Sequence, residues 1–152
     1  MAYRCICGID PGMSGAVAFY FLKEQAINSY DMPKVAKSVD AAALCSLLEI
    51  MQPDIAVVEQ VASRPGQSAP AMFNFGVGFG VIQGVLSARG IPTHLVSPQR
   101  WKRHFRLDSD KEKSRALALR LWPARSDLFS LKKHEGRAEA ALIARYGAET
   151  IA

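Results

Sequence analysis

The chain has 152 residues, 49% of them apolar and 22% charged, the size and composition of one globular domain, which excludes a largely disordered chain. Its net charge of +5 is unevenly placed: residues 1–88 hold 5 Lys/Arg against 7 Asp/Glu, and residues 89–152 hold 14 against 7. A basic C-terminal half suits a polyanionic partner, and three cysteines, an odd number, argue against a disulfide scaffold.

Residues 3–9 (YRCICGI) alternate and are rich in β-formers, so they predict a strand. Cys5 and Cys7, two apart, share one face of it and read as small core residues. Residues 10–15 (DPGMSG) carry turn chemistry. Residues 16–22 (AVAFYFL) and 26–32 (AINSYDM) predict two more strands around a polar turn at 23–25, giving an antiparallel meander. Val39, Ala42, Ala43, Leu47 and Ile50 recur at helical spacing, predicting a helix over 38–51 that also carries Cys45. The short apolar run 54–59 (DIAVVE) suits a buried parallel strand.

Residues 63–70 (SRPGQSAP) read as a loop, and 71–89 as a long apolar helix. That helix contains Gly76, Gly78, Gly80 and Gly84, whose cost in helix propensity predicts close packing against a neighbour. No apolar run is expected to reach the ~20 residues that span a bilayer. Residues 91–96 predict another strand, and Ser97-Pro98 opens a short helix. Asp110 caps a helix running to Leu121, which Pro123 stops. Residues 124–133 are basic and irregular, and a last helix over 134–146 is closed by Gly147. The whole reads as a single α/β domain over 1–152 with a mixed sheet, without repeats or linkers.

Four carboxylates stand where chemistry is done. Asp10 follows the first strand, and Glu59 ends the buried strand 54–59. Sites in α/β sheets form at the carboxyl ends of strands, and acids placed there are costly unless paired or bound to a cation. Glu135 and Glu139 are four apart on the last helix and share a face. Together the four predict an oxygen-rich cage for hard cations, Mg²⁺ or Mn²⁺, with two ions per site. Two such ions activate a water and stabilise a leaving oxygen in phosphodiester hydrolysis. The segment 100–106 (RWKRHFR) interleaves aromatics and cations at helical spacing, so Trp101 and Phe105 are expected to bury while the cations meet phosphates.

These residues also carry a resemblance. GIDPGMSGA at 8–16 resembles the first motif of RuvC-type Holliday junction resolvases of the RNase H-like superfamily, and VVEQV at 57–61 resembles the second. SPQRWK at 97–102 and EKSRALA at 112–118 are similar to its two basic stretches, and HEGRAEAALIARYG at 134–147 to its acidic last helix in phage-like and poxvirus or organellar forms. The resemblance implies an RNase H-like fold with a mixed five-stranded sheet flanked by helices. It implies a homodimeric, divalent-metal-dependent endonuclease making paired nicks in four-way DNA junctions. Asp10, Glu59, Glu135 and Glu139 would take the carboxylate positions, and Lys102 and Lys113 those of the lysines beside the scissile phosphate. Arg100, Lys102, Arg103, Arg106, Lys111, Lys113, Lys132, Lys133 and Arg137 would contact DNA, with Arg120 and Arg125 extending the track. A cytoplasmic setting, in a bacterium or a phage-infected cell, is expected; no membrane partner is.

The chain departs from that family pattern in three places. Both acids of the last helix are Glu, where at least one Asp is usual. Ala62 stands where the bacterial enzymes carry a stacking aromatic, leaving the nearby Phe73 and Phe75, expected in the core. His134, beside Glu135, is expected exposed and idle. Two other readings keep the fold: a nuclease of flaps, forks or RNA–DNA hybrids, and a junction-binding protein that does not cut. An actin-like kinase, which shares a GID-x-G loop, needs a far longer chain.

Overall fold

The computed structural model describes residues 2–63 and 65–152. Three strands, β1 (Cys5–Asp10), β2 (Ala16–Phe21) and β3 (Ala26–Asp31), form the antiparallel meander. A two-residue-per-strand hairpin follows, β4 (Lys34–Val35) and β5 (Ser38–Val39). Then come α1 (Ala41–Met51), β6 (Ile55–Glu59), α2 (Ala69–Ala88), β7 (Thr93–Val96), α3 (Pro98–His104), α4 (Lys111–Leu121) and α5 (Glu135–Thr150). The main sheet has five strands in the order β3-β2-β1-β6-β7, with β6 parallel to both β1 and β7. The α/β architecture with a mixed five-stranded sheet is as the sequence predicts.

Both faces of the sheet are covered, because alternate residues of β1, β2 and β6 are apolar on each side. Ile6, Ala18 and Val57 pack with α5, Trp101, Ala118 and Phe129 on one face. Cys5, Cys7, Ile9, Phe19 and Val58 pack with Leu44, Leu48, Ile82 and Leu86 of α1 and α2 on the other. Cys5 and Cys7 are buried free thiols on one face, as their spacing predicts; burial pushes the Cys5 thiol up to about 12, out of the reactive range.

α5 lies directly on β1. A Cβ at Gly8 would sit 2.3 Å from the Ala140 carbonyl oxygen and from the Ala144 nitrogen, so only glycine admits the helix at this depth. Gly147 does similar work and does not end the helix as the sequence reading expects: a Cβ there would meet Val57 Cγ2 at 2.7 Å, and α5 runs on to Thr150.

Three other expectations are corrected. α1 begins at Ala41, because Asp40 caps it by accepting from the Ala43 N–H at 3.0 Å while residues 38–39 pair with 34–35. α2 is 20 residues long and uncharged, so by length and composition it does reach bilayer span. Its glycines are not packed within the chain: nothing lies within 4 Å of a Cβ at Gly76, Gly80 or Gly84, and only Gly78 meets a neighbour, Val39.

Candidate active site

Parallel pairing in register, Ile9 against Val58, brings the last residues of β1 and β6 out at one edge of the sheet. Asp10 and Glu59 are those residues. The close seat of α5 on Gly8 sets Glu139, 4% exposed, over the same edge. Asp10, Glu59 and Glu139 line one cavity of about 420 Å³ together with Lys102 and Lys111, and Met72, Phe75 and Phe79 of α2 also line it. Phe75 and Phe79 stack with centroids 6.2 Å apart.

The electrostatics follow from this crowding. Burial, then the charges of Glu59 and Glu139, push Asp10 up to about 7, against the pull of Lys111 and of a hydrogen bond from the Gly12 backbone. Burial also raises Glu59, opposed by its bond from Trp101, whose indole Nε1–H donates to Oε2 at 2.6 Å. Each oxygen of Glu139 faces a different ammonium: Lys102 Nζ is 3.6 Å from Oε2, and Lys111 Nζ is 3.5 Å from Oε1. Burial works against the Lys111 charge, but Glu139 and Asp10 outweigh it and raise its pKa. Three carboxylates face two ammoniums, a set that would accept further positive charge.

The structure brings together Asp10, Glu59, Glu139 and Lys102 of the expected residues, and adds Lys111, expected from the sequence only as a DNA contact. It does not bring in Glu135 or Lys113. Glu135, in the first turn of α5, sits among Lys111, Glu112 and Arg115 at the rim. Lys113 pairs with Asp108 on the surface. Glu135 thus does not line the cavity that holds the other three acids, and among the described residues no three His, Cys, Asp or Glu side chains stand at the spacing of a preformed ion site.

Around the cavity the cations divide into two groups. Arg100, Arg103 and Arg106 are exposed on and after α3, and Lys132 and Lys133 on the turn before α5. Arg106 takes a left-handed φ of 58°, uncommon for a residue with a Cβ, as α3 ends. Arg137, by contrast, is committed within the fold: its Nε and Nη2 bind Asp31 at 2.8 and 3.1 Å, joining α5 to β3. Arg125 likewise binds Asn28 Oδ1 at 2.6 Å.

Trp101 is fully buried, as the interleaved pattern predicts. Phe73 is not in the core as expected but 72% exposed, and His134 is not exposed but buried, its Nδ1 accepting from the Leu131 N–H at 3.1 Å. Burial, followed by the charge of Arg137, lowers the His134 pKa and favours the neutral ring that this bond needs. The signal for Lys111 was present in the sequence, since it is the first residue after the cap Asp110.

By sequence, no protein-family model and no curated protein matches the chain. By structure, it is similar to Thermus thermophilus RuvC solved in complex with a Holliday junction substrate, with a TM-score of 0.62 and 15% identity over 97% of this chain and 96% of that one. It is similar to the yeast mitochondrial Holliday junction resolvase, with a TM-score of 0.57 and 16% identity over 94% of this chain and 76% of that one. It is similar to the fowlpox virus Holliday junction resolvase, with a TM-score of 0.55 and 16% identity over 97% and 99%. The fold is thus the RuvC/RNase H-like fold.

Proposed function

We propose that this chain is a divalent-metal-dependent endonuclease that resolves four-way DNA junctions by paired nicks, acting as a homodimer. The observation that carries the reading is the convergence of Asp10, Glu59 and Glu139 with Lys102 and Lys111 in one cavity of a RuvC-like fold. Burial first, and then the charges of Glu59 and Glu139, raise the Asp10 pKa, so the gathered carboxylates carry an electrostatic penalty. An all-oxygen donor set under that strain fits Mg²⁺ or Mn²⁺. Asp10, Glu59 and Glu139 would hold the ion, which when bound supplies an activated water and a Lewis acid for the phosphoryl oxygen.

The chain's own residues supply the rest. Lys102 and Lys111 place two point charges where a phosphate can enter beside the acids, which favours charge building up on its oxygens. The stacked Phe75 and Phe79 give the cavity an apolar part of its lining. Arg100, Arg103 and Arg106, with Lys132 and Lys133, offer exposed cations for the duplex arms, so junction affinity should fall steeply with salt. Phe73, exposed on α2, offers a ring on which an unpaired base can stack.

The second copy is read from α2. It has no charge over 20 residues, buries only Gly78, Ile82 and Leu86, and leaves Val77 exposed. Gly76, Gly80 and Gly84 recur every four residues on an open face, where another helix can approach closely. The same helix from a second copy fits that face under two-fold symmetry.

The test is a labelled four-way junction incubated with wild-type protein or Asp10→Asn in Mg²⁺, in Mn²⁺ and in EDTA. Wild type is expected to nick only with the metal, and Asp10→Asn to bind at least as tightly without cutting. Binding without nicks by wild type in either metal would instead support the junction-binding reading, which the exclusion of Glu135 from the cavity favours.

A further inference from the structure

Trp101 heads the largest fully buried side chains of the protein. Its ring belongs to the core, but its N–H is aimed at the site, donating to Glu59 Oε2 at 2.6 Å. The second tryptophan shows that burial alone does not bring this about. Trp122 is 4% exposed, and its Nε1 finds no partner among the described residues.

The local fold sets the aim. The Gln60 N–H donates to the Val96 oxygen at 2.8 Å, which aligns the end of β6 with the end of β7. Ser97 then caps α3 at once, its Oγ accepting from the Arg100 N–H at 3.3 Å. Trp101 lies four residues past the cap and turns back over Glu59. Lys102, the next residue, holds its Nζ 5.5 Å from the Trp101 ring centroid while pairing with Glu139. One turn of α3 therefore serves two of the three carboxylates. The indole takes one Glu59 oxygen, and the other has no hydrogen bond or ion pair among the described residues.

We propose that Trp101 is a positioning residue for the Glu59 carboxylate, fixing its orientation so that one oxygen is presented to a divalent cation, and that its emission therefore reports cation binding. The proposal rests on the metal-site reading above. Partners of this kind, bound to a ligand rather than to the metal, typically govern 10–100-fold in metal affinity. A tryptophan that only filled space would govern neither affinity nor orientation.

Two measurements test this. In a Trp122→Phe background Trp101 is the sole tryptophan. Its emission is expected to change saturably as Mg²⁺ is added, and the change to vanish when Glu59→Gln is introduced. Separately, Trp101→Phe keeps an aromatic ring and removes the donor. Calorimetry is expected to show Mg²⁺ binding weakened about 10-fold or more, with the circular dichroism spectrum and junction affinity in EDTA unchanged. Emission that ignores Mg²⁺, or Trp101→Phe binding Mg²⁺ as tightly as wild type, overturns the proposal. If Trp101→Phe fails to fold, the emission titration decides. Wild type that shows the Mg²⁺ response but cuts no junction upholds the proposal and removes the nuclease reading. Junction cutting with an indole blind to Mg²⁺ does the reverse.

Discussion

Replacing Asp10 by Asn should remove catalysis and at the same time stabilise the metal-free protein. An aspartate in the unfolded chain ionises near ~3.9, whereas in the fold burial, Glu59 and Glu139 raise Asp10 to about 7. Between these values the folded state holds a proton that the unfolded state has lost, so stability falls as pH rises from ~4, and the full penalty stands above about 7. A shift of roughly three units corresponds to ~4 kcal/mol. Allowing half for water entering the partly open cavity leaves about 2 kcal/mol as the lower bound. Asn has no charge to lose and escapes the penalty. In EDTA at pH 8, Asp10→Asn should melt at least ~4 °C above wild type, since ~1 kcal/mol is worth roughly 2–4 °C at this size. The gap should close as pH falls toward 4, and Mg²⁺ should stabilise wild type more than the variant. Melting temperatures by calorimetry across pH check this. Equal melting at pH 8, or a gap independent of pH, would refute the crowding argument.

Lys111→Ala should lower junction cleavage by ~10²-fold or more, as loss of a charge facing the reacting phosphate does. Lys113→Ala, whose residue pairs with Asp108 outside the cavity, should stay within about threefold; single-turnover rates separate the two. Gly8→Ala should cost at least ~3 kcal/mol or yield no folded protein, because its Cβ meets α5 backbone at 2.3 Å, and denaturant titration measures it. Gly80→Arg projects into open space in one copy, so it should leave the melting temperature of the single chain nearly unchanged. It should nevertheless convert a dimer to a monomer in light scattering.

Asp10 and Glu59 were legible in the sequence because a strand end is a fixed place: once β1 and β6 pair in parallel register, both acids must emerge together. The helix-borne residues were only half legible. Glu135 and Glu139 are correctly four apart, yet which one meets the cavity depends on where α5 starts and how deeply Gly8 lets it settle. Lys111 and Lys113 illustrate the same limit. Two residues along a helix is more than half a turn, so the cap at Asp110 turns Lys111 inward and leaves Lys113 to its neighbour Asp108. The Trp101–Glu59 bond spans 42 residues, and no local pattern announces it. The glycines of α2 predicted close packing, but only Gly78 is packed within one chain, and Gly76, Gly80 and Gly84 face open space, which is where a second copy would supply the neighbour.

The most direct measurement uses a four-way junction labelled in turn on each strand, beside a duplex of matched sequence, with wild-type protein in Mg²⁺. Paired nicks in opposed strands near the branch point and an intact duplex are expected. An uncut junction in both Mg²⁺ and Mn²⁺, or a duplex cut as fast as the junction, would contradict the proposed function.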